Sequence, residues 1–504
     1  MKLPFLSRSP DPASYSLIEH DSKDLIEASE LSDGQKSLLP QSAQHLHRID
    51  TTEKCTPTRG VLAHLSTIWP LLLPAWLKPT EKVTLHSTSW LDGLRGMASL
   101  IVCFHHTTYD WLPFLRTGWG ADPASSNNHI FQLPILRIIY SGGAMVAIFF
   151  VISGYVLSTK ALRLSRQARY PELFDSLYSS TFRRGLRLYI PCTVLTFVNA
   201  NLAMMNLLNG APYPKYPDYG TQMWVWVQES LRCISPIAEG TAFDGSLWTI
   251  PREFKGSLMI FLTALGLAKC RPVLRTSLLG VFAGYWFYWA YYDLFLFAAG
   301  MLLADLHYYF EPIVAINLPS TEAEHDQLAA VCPRRTWKYL SSFAHTVFIV
   351  FTVYLLSLPD YDEGAASSTL GVSFFSITLT PPSWRSHWGA SRFWACISSV
   401  MLVAVIDHAG AKSWMQRIFR TQGARYLGNI SFSIYLVHGV MVHSFGKWLE
   451  GMMFRVVGND GALQHGLAIT GIYLIWSPVV FWLSDVFTVL VDRPSVRLAR
   501  RLMP

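Results

Sequence analysis

Apolar positions along this chain do not alternate with polar ones. From residue 96 onward they gather into runs of roughly 15 to 25 residues, separated by short polar breaks, and a helix that crosses a bilayer needs about 20. Ten runs stand out, near residues 96–115, 139–158, 188–208, 247–267, 276–291, 293–307, 340–358, 391–407, 428–446 and 464–488. The fifth and sixth barely pause at Asp293, in "GVFAGYWFYWAYYDLFLFAAGMLLADL". The first 60 residues carry no such run. Their "HDSKDLIEASELSDGQKS" is the composition of a disordered polar tail. The next apolar stretch, "VLAHLSTIWPLLLPAWL", is interrupted by Pro70 and Pro74 and reads as an interfacial segment rather than a crossing.

The pattern therefore predicts an all-α, polytopic membrane protein: a cytosolic tail over 1–60, an interfacial segment over 61–90, and a ten-helix membrane domain over 91–504. Lys and Arg fall mostly in alternate breaks, including Lys160, Arg163, Arg166, Arg271, Arg334, Arg335 and Arg417, with Arg493, Arg497, Arg500 and Arg501 at the end. The bias of roughly three to one places both termini in the cytosol by the positive-inside rule.

Composition agrees. Only 15% of the 504 residues are charged and 51% are hydrophobic, where a soluble chain has about 25% charged. Mean hydropathy is +0.26. The net charge of +7 is scattered in small groups, not collected on one basic face, so no nucleic acid is expected as a partner. Seven cysteines without a CxxC pair suggest neither a zinc site nor a disulfide framework, and no metal is expected. "MKLPFLSRSPDPAS" lacks the apolar core of a signal peptide.

Candidate chemistry lies in the ionisable residues placed inside apolar runs, which are costly in lipid and need partners or a function. In "LDGLRGMASLIVCFHHTTYDW", Arg95 and His106 are eleven residues apart, three helical turns plus about 20°, so they share a face. Arg95 would stand at the cytosolic mouth and His106 near mid-membrane, with His105 about 100° away round the helix. Glu253, in "GSLWTIPREFKGSLMIF", is expected at a similar depth, where a carboxylate would fix the tautomer of an imidazole. His438, in "LGNISFSIYLVHGVMVHSF", and Ser153 with Gly154, in "FFVISGYVLS", are further polar positions. A plain structural reading stands beside this one: packed histidines, and arginines that snorkel or set topology. A proton-coupled transporter or flippase would use the same residues.

Seven strings in order give the chain a resemblance. "LDGLRGMASLIVCFHH" resembles the Arg, ten residues, His opening of the acyltransferase-3 family of integral membrane O-acyltransferases. His105 falls on a position usually aromatic or aliphatic there. "FFVISGYVLS", "FRRGLRLYIP", "LWTIPREF", "FLFAAGMLLAD", "LGNISFSIYLVHG" and "VDRPSVRLARRL" resemble the family's later elements, and the match covers about 91–504. The tail and loop lengths look like fungal members.

The resemblance implies transfer of an acyl group, often acetyl, from cytosolic acyl-CoA as co-substrate to a hydroxyl of a sugar, lipid or secondary metabolite, with no bound cofactor. His106 would be the general base, Glu253 its orienting or charge-balancing carboxylate, and Arg95 the first of the basic residues at the mouth. Arg183, Arg184 and Arg187 would meet the phosphates of coenzyme A. Ser153 and Gly154 would line the passage for the pantetheine arm, and Trp248, Tyr435 and His438 would complete the substrate site. Asp92 is expected to pair with Arg95 one turn away. A Ser153 nucleophile has no evident neighbouring base in sequence. The bilayer, acyl-CoA and the acceptor are the expected partners, with no protein partner required, and the expected location is an endomembrane or the plasma membrane. The remaining alternatives are the transporter and a scaffold that keeps the fold without the chemistry.

Overall fold

A computed structural model describes residues 88–503, apart from 209–212, 236, 311–341, 361–366, 388, 412 and 459. The polar tail and most of the interfacial segment lie outside the described residues. Helices follow in the order α1 (Ser89–Trp111), α2 (Gly142–Arg166), α3 (Tyr170–Met204), α4 (Tyr219–Cys233), α5 (Thr249–Gly266), α6 (Pro272–Tyr288), α7 (Tyr292–Phe310) and α8 (Ser342–Leu356). After these come α9 (Pro382–His387), α10 (Ala390–Ala409), α11 (Trp414–Phe419), α12 (Gln422–Met441), α13 (Lys447–Val457), α14 (Ala462–Phe487) and α15 (Arg493–Arg501). Among the described residues β pairing is limited to the isolated bridge Thr241–Asp244. The fold is all-helical, as the periodicity predicts.

Each predicted apolar run falls on a helix. Three helical stretches among the described residues are long and apolar enough to cross a membrane: Gly142–Arg166, Ser391–Ala409 and Ala462–Arg501. The last joins α14 to α15 through a π-helical turn, Thr488–Asp492. The ambiguous fifth and sixth runs are two helices. Ala290 takes a φ of 55° in the turn between them and is buried. Asp293 opens α7, where a carboxylate suits a helix N-terminus, and it meets Lys255 Nζ at 2.6 Å and Arg252 Nη1 at 3.8 Å.

α3 differs from expectation. It begins at Tyr170, not near 188, so Arg183, Arg184 and Arg187 stand inside a 35-residue helix instead of in a loop. Pro191 sits in its interior. The predicted loop over 209–246 also contains a helix, α4. Its cap Asp218 accepts from Thr221 Oγ1 at 2.6 Å and Thr221 N at 2.9 Å. Those two bonds hold the Asp218 carboxyl below the ordinary carboxylate range.

Small residues set the helix crossings that position the site, as is common where lipid removes the hydrophobic drive between helices. α1 crosses α12 backbone on backbone: a Cβ on Gly96 would collide with Leu427 and Gly428, and one on Gly428 would press on the Asp92 carbonyl. α2 crosses α7 in the same way. A Cβ on Gly154 would strike the Phe297 backbone, and one on Gly300 the Val151 carbonyl. α2 thereby becomes the central helix, with Ala144, Ile148, Phe150 and Val151 in the core.

At the other end of α2 a buried carboxylate ties three helices. Asp305 of α7 accepts from Arg166 Nη2 at 3.0 Å and from Arg275 Nε and Nη2 at 3.1 and 2.6 Å, while Thr276 Oγ1 donates to its second oxygen at 2.6 Å. Asp305 and Arg275 are almost fully enclosed. Removing one partner of a buried pair strands the other. We expect Asp305→Ala to cost about 3–5 kcal/mol, read as a lowered unfolding temperature in detergent, and Thr276→Val to cost a fraction of that.

Candidate active site

Two cavities with polar linings adjoin inside the bundle. The first, of about 150 Å³, is basic: Arg95 of α1 and Arg184 and Arg187 of α3 line it, with Ser153, Glu253, Ser431 and Asp492. The second, of about 250 Å³, is lined by His105, His106, Tyr109, Ser246, Trp248, Asp360, Ser391 and Arg392. Val146, Thr249 and Tyr435 line both. The cavities therefore meet at a waist made by α2, α5 and α12.

The waist is held by hydroxyls. The Tyr435 phenol donates its one proton to the Ser246 carbonyl, so the 2.6 Å bond to Thr249 must be donated by Thr249. Both side chains are thereby fixed, and Thr249 presents only lone pairs beyond that bond.

In the basic cavity the charges are unequally engaged. Arg184 pairs with Glu253 and donates Nε to Ser257 Oγ at 2.9 Å. Glu253 also accepts from Ser153 Oγ at 2.6 Å. Arg95 donates Nε to Ser431 Oγ at 3.0 Å and Nη2 to the Gly428 carbonyl at 3.1 Å, and its expected ion pair with Asp92 forms at 3.1 Å. Arg95 thus fastens α1 to α12 while facing the cavity. Arg187 is exposed there, and no hydrogen bond or ion pair to it occurs among the described residues.

In the second cavity the His106 ring is exposed to the open space although it lies deep in the bundle. The rings of His105 and His438 stand 5.1 and 5.0 Å from it, centroid to centroid. Nδ1 of His438 lies 3.1 Å from the Ile434 carbonyl, and since a carbonyl only accepts, Nδ1 carries the proton. Its Nε2 is buried and has no hydrogen-bond partner among the described residues. Arg392 stands 5.6 Å from the Trp248 ring and 5.2 Å from the Tyr292 ring, with Arg252 at 5.5 Å from each.

The structure brings Arg95, Ser153, Arg184, Arg187 and Glu253 together, and separately His106 with Trp248, with Tyr435 at the junction. Four placements differ from expectation. Glu253 is in the basic cavity and not beside His106, because the Arg184 guanidinium on α3 is a stronger partner for a carboxylate than an imidazole is. Gly154 lines no passage; it serves the crossing of α2 on α7. His438 lies behind His106, away from the open space. Arg183 is outside the cavity, donating Nε to the Ser179 carbonyl of its own helix at 3.2 Å.

Sequence reasoning missed Asp360 and Arg392. Arg392 had a signal, since it is a charge within the predicted run 391–407. Asp360 had none, because only folding carries that loop residue to α1.

Comparison with known proteins adds the following. A family model for an acyltransferase domain, acyltransferase 3, matches residues 88–491. The O-acetyltransferase PaAT-1 of Phomopsis amygdali is 30% identical over 485 residues, covering 89% of this chain and 90% of that one. The acyltransferase clz18 of Cochliobolus lunatus is 24% identical over 463 residues, covering 81% and 94%. No solved structure matches.

The Arg184–Glu253 pair yields a stability test. Arg184→Met alone leaves an enclosed carboxylate unanswered and is expected to cost about 3–5 kcal/mol, while adding Glu253→Met recovers most of the loss. A double-mutant cycle on unfolding in detergent reads the coupling.

Proposed function

This chain belongs to the acyltransferase-3 family, and on that premise we propose that it moves an acyl group, acetyl in the first instance, from acyl-CoA to a hydroxyl, with His106 as general base. One observation carries the reading: a basic cavity and a histidine cavity meet at a shared waist. Coenzyme A is a polyphosphate on a long flexible arm that ends in a thioester. The basic cavity suits its charged part, and the waist suits the arm. Arg187 has its fork available for phosphate, a pairing that guanidinium geometry favours. Arg95 and Arg184 supply field more than direct contact.

The thioester carbonyl would then reach the second cavity beside His106. The acceptor hydroxyl gives its proton to His106 as its oxygen attacks the carbonyl carbon. The tetrahedral intermediate collapses, the carbon–sulfur bond breaks, and the leaving sulfur takes the proton back from His106. No acyl-enzyme is needed. Ser153, which donates its proton to Glu253, lines the basic cavity and not the cavity of His106.

The topology belongs to the same proposal. Ten crossings with both ends in the cytosol turn the Arg95 end of α1 toward the acyl-CoA pool and leave the larger cavity to an acceptor, in an endomembrane or the plasma membrane. A sugar, a lipid or a secondary metabolite would each meet both hydrogen-bonding groups and the Trp248 face.

Purified protein with labelled acetyl-CoA tests the reading. Coenzyme A should bind, and free thiol should appear in the presence of hydroxyl acceptors. His106→Ala should lower turnover by about 10²–10⁴ with little change in acetyl-CoA affinity. Arg187→Ala should raise KM for acetyl-CoA by about tenfold, one charge-assisted contact, and spare kcat. If neither coenzyme A nor acetyl-CoA binds, the transferase reading fails.

A further inference from the structure

Asp360 is the carboxylate of the cavity that holds His106, and its place is built from several sides. The Tyr109 hydroxyl of α1 donates to its Oδ2 at 3.3 Å, and His105 Nδ1 stands 3.5 Å from the same oxygen. Its Oδ1 fills the space over the bare Cα of Gly143, in the first turn of α2, which a side chain there would occupy. Ser391, at the start of α10, donates Oγ to the Asp360 backbone carbonyl at 3.0 Å. The side chain is only partly enclosed, at 23% exposure, so it faces the cavity instead of being sealed behind it.

His105 links this carboxylate to His106. Its Nδ1 is 3.0 Å from the Tyr140 carbonyl, so Nδ1 carries a proton. Its ring meets that of His106 nearly edge-on, at 81°. On the transfer pathway His106 becomes positively charged for a moment, in a space of low dielectric where a nearby opposite charge counts for much more than in water. The groups around it can be named. α12 contributes the Tyr435 phenol and, behind, His438 with its proton on Nδ1, and the π-helical turn after it contributes His443. α5 and the turn before it contribute Thr249, Trp248 and Ser246. α10 contributes Arg392, a positive charge held against the Trp248 and Tyr292 rings. α1 itself contributes His105 and Tyr109. Asp360 is the acidic residue lining this cavity, and Glu253 is engaged by Arg184.

We propose that Asp360, acting through His105, is the positioning residue that supports the positive charge on His106. The proposal rests on His106 as the base. The proton passes from the hydroxyl to His106 and then to sulfur.

The test uses the full chain in detergent and needs no acceptor. Diethyl pyrocarbonate modifies neutral imidazoles, and peptide mass spectrometry reads the extent at His106 from strongly acidic to neutral pH. Removing a neighbouring carboxylate lets the ring stay neutral to lower pH. Asp360→Asn should therefore displace the His106 profile toward acid by about one pH unit. Asp360→Glu should restore it, and His105→Phe, which leaves Asp360 in place, should displace it as well. Superimposed profiles for wild type, Asp360→Asn and His105→Phe would overturn the proposal, even if the variants lose activity. A displaced profile in a chain that never binds acetyl-CoA would uphold the charge pairing and remove the transferase reading.

Discussion

The pairing of Arg184 with Glu253 decides what the rest of the interior can do. Both side chains are largely enclosed, so each holds the other in place, with Ser153 and Ser257 adding one hydrogen bond to each. A carboxylate bound this way is a poor partner for a histidine in another cavity. In the proposed reaction, charge on the histidine side would be answered from elsewhere, by Asp360 of the loop after α8. The same rule operates at Asp305, which answers Arg166 and Arg275, and at Asp293, which answers Lys255. An apolar bundle tolerates such groups only in company, so its ion pairs also record which helices must touch.

The all-helical architecture was legible because each of the ten long apolar runs marks a helix. The Arg95–His106 spacing was equally legible, since helical geometry alone puts both residues on one face. Depth was the weak link. Glu253 and His106 were expected at one level from the lengths of their runs, but run lengths say nothing of which side chain a neighbour claims. α3 shows the same limit: its basic residues read as a loop because charge resembles a loop in sequence, whereas a 35-residue helix carries them along its side. Asp360 is the extreme case. It is an ordinary loop aspartate until the chain folds, and only tertiary contact with Tyr109, His105 and Gly143 marks it.

The glycines have a matching double meaning. Gly154 lies in a string that resembles a family element, and it sits next to Ser153, which does line the basic cavity. Its own task is to let α2 and α7 touch along their backbones, as Gly96 and Gly428 do for α1 and α12. One short string can therefore hold a cavity residue and a packing residue side by side, and helical phase separates them: 100° of rotation turns one toward the cavity and the other toward the neighbouring helix.

The waist of Val146, Thr249 and Tyr435 has a further consequence. A locked phenol and a locked hydroxyl give an aperture whose width does not depend on what has arrived on either side. In the proposed reaction it would act as a gauge on the donor: a slender chain with a short acyl end threads it, whereas a bulky acyl end is stopped by side chains that never touch the acceptor. Choice of acyl group and choice of hydroxyl would then be made in different rooms of the same protein, and each could change in evolution without disturbing the other.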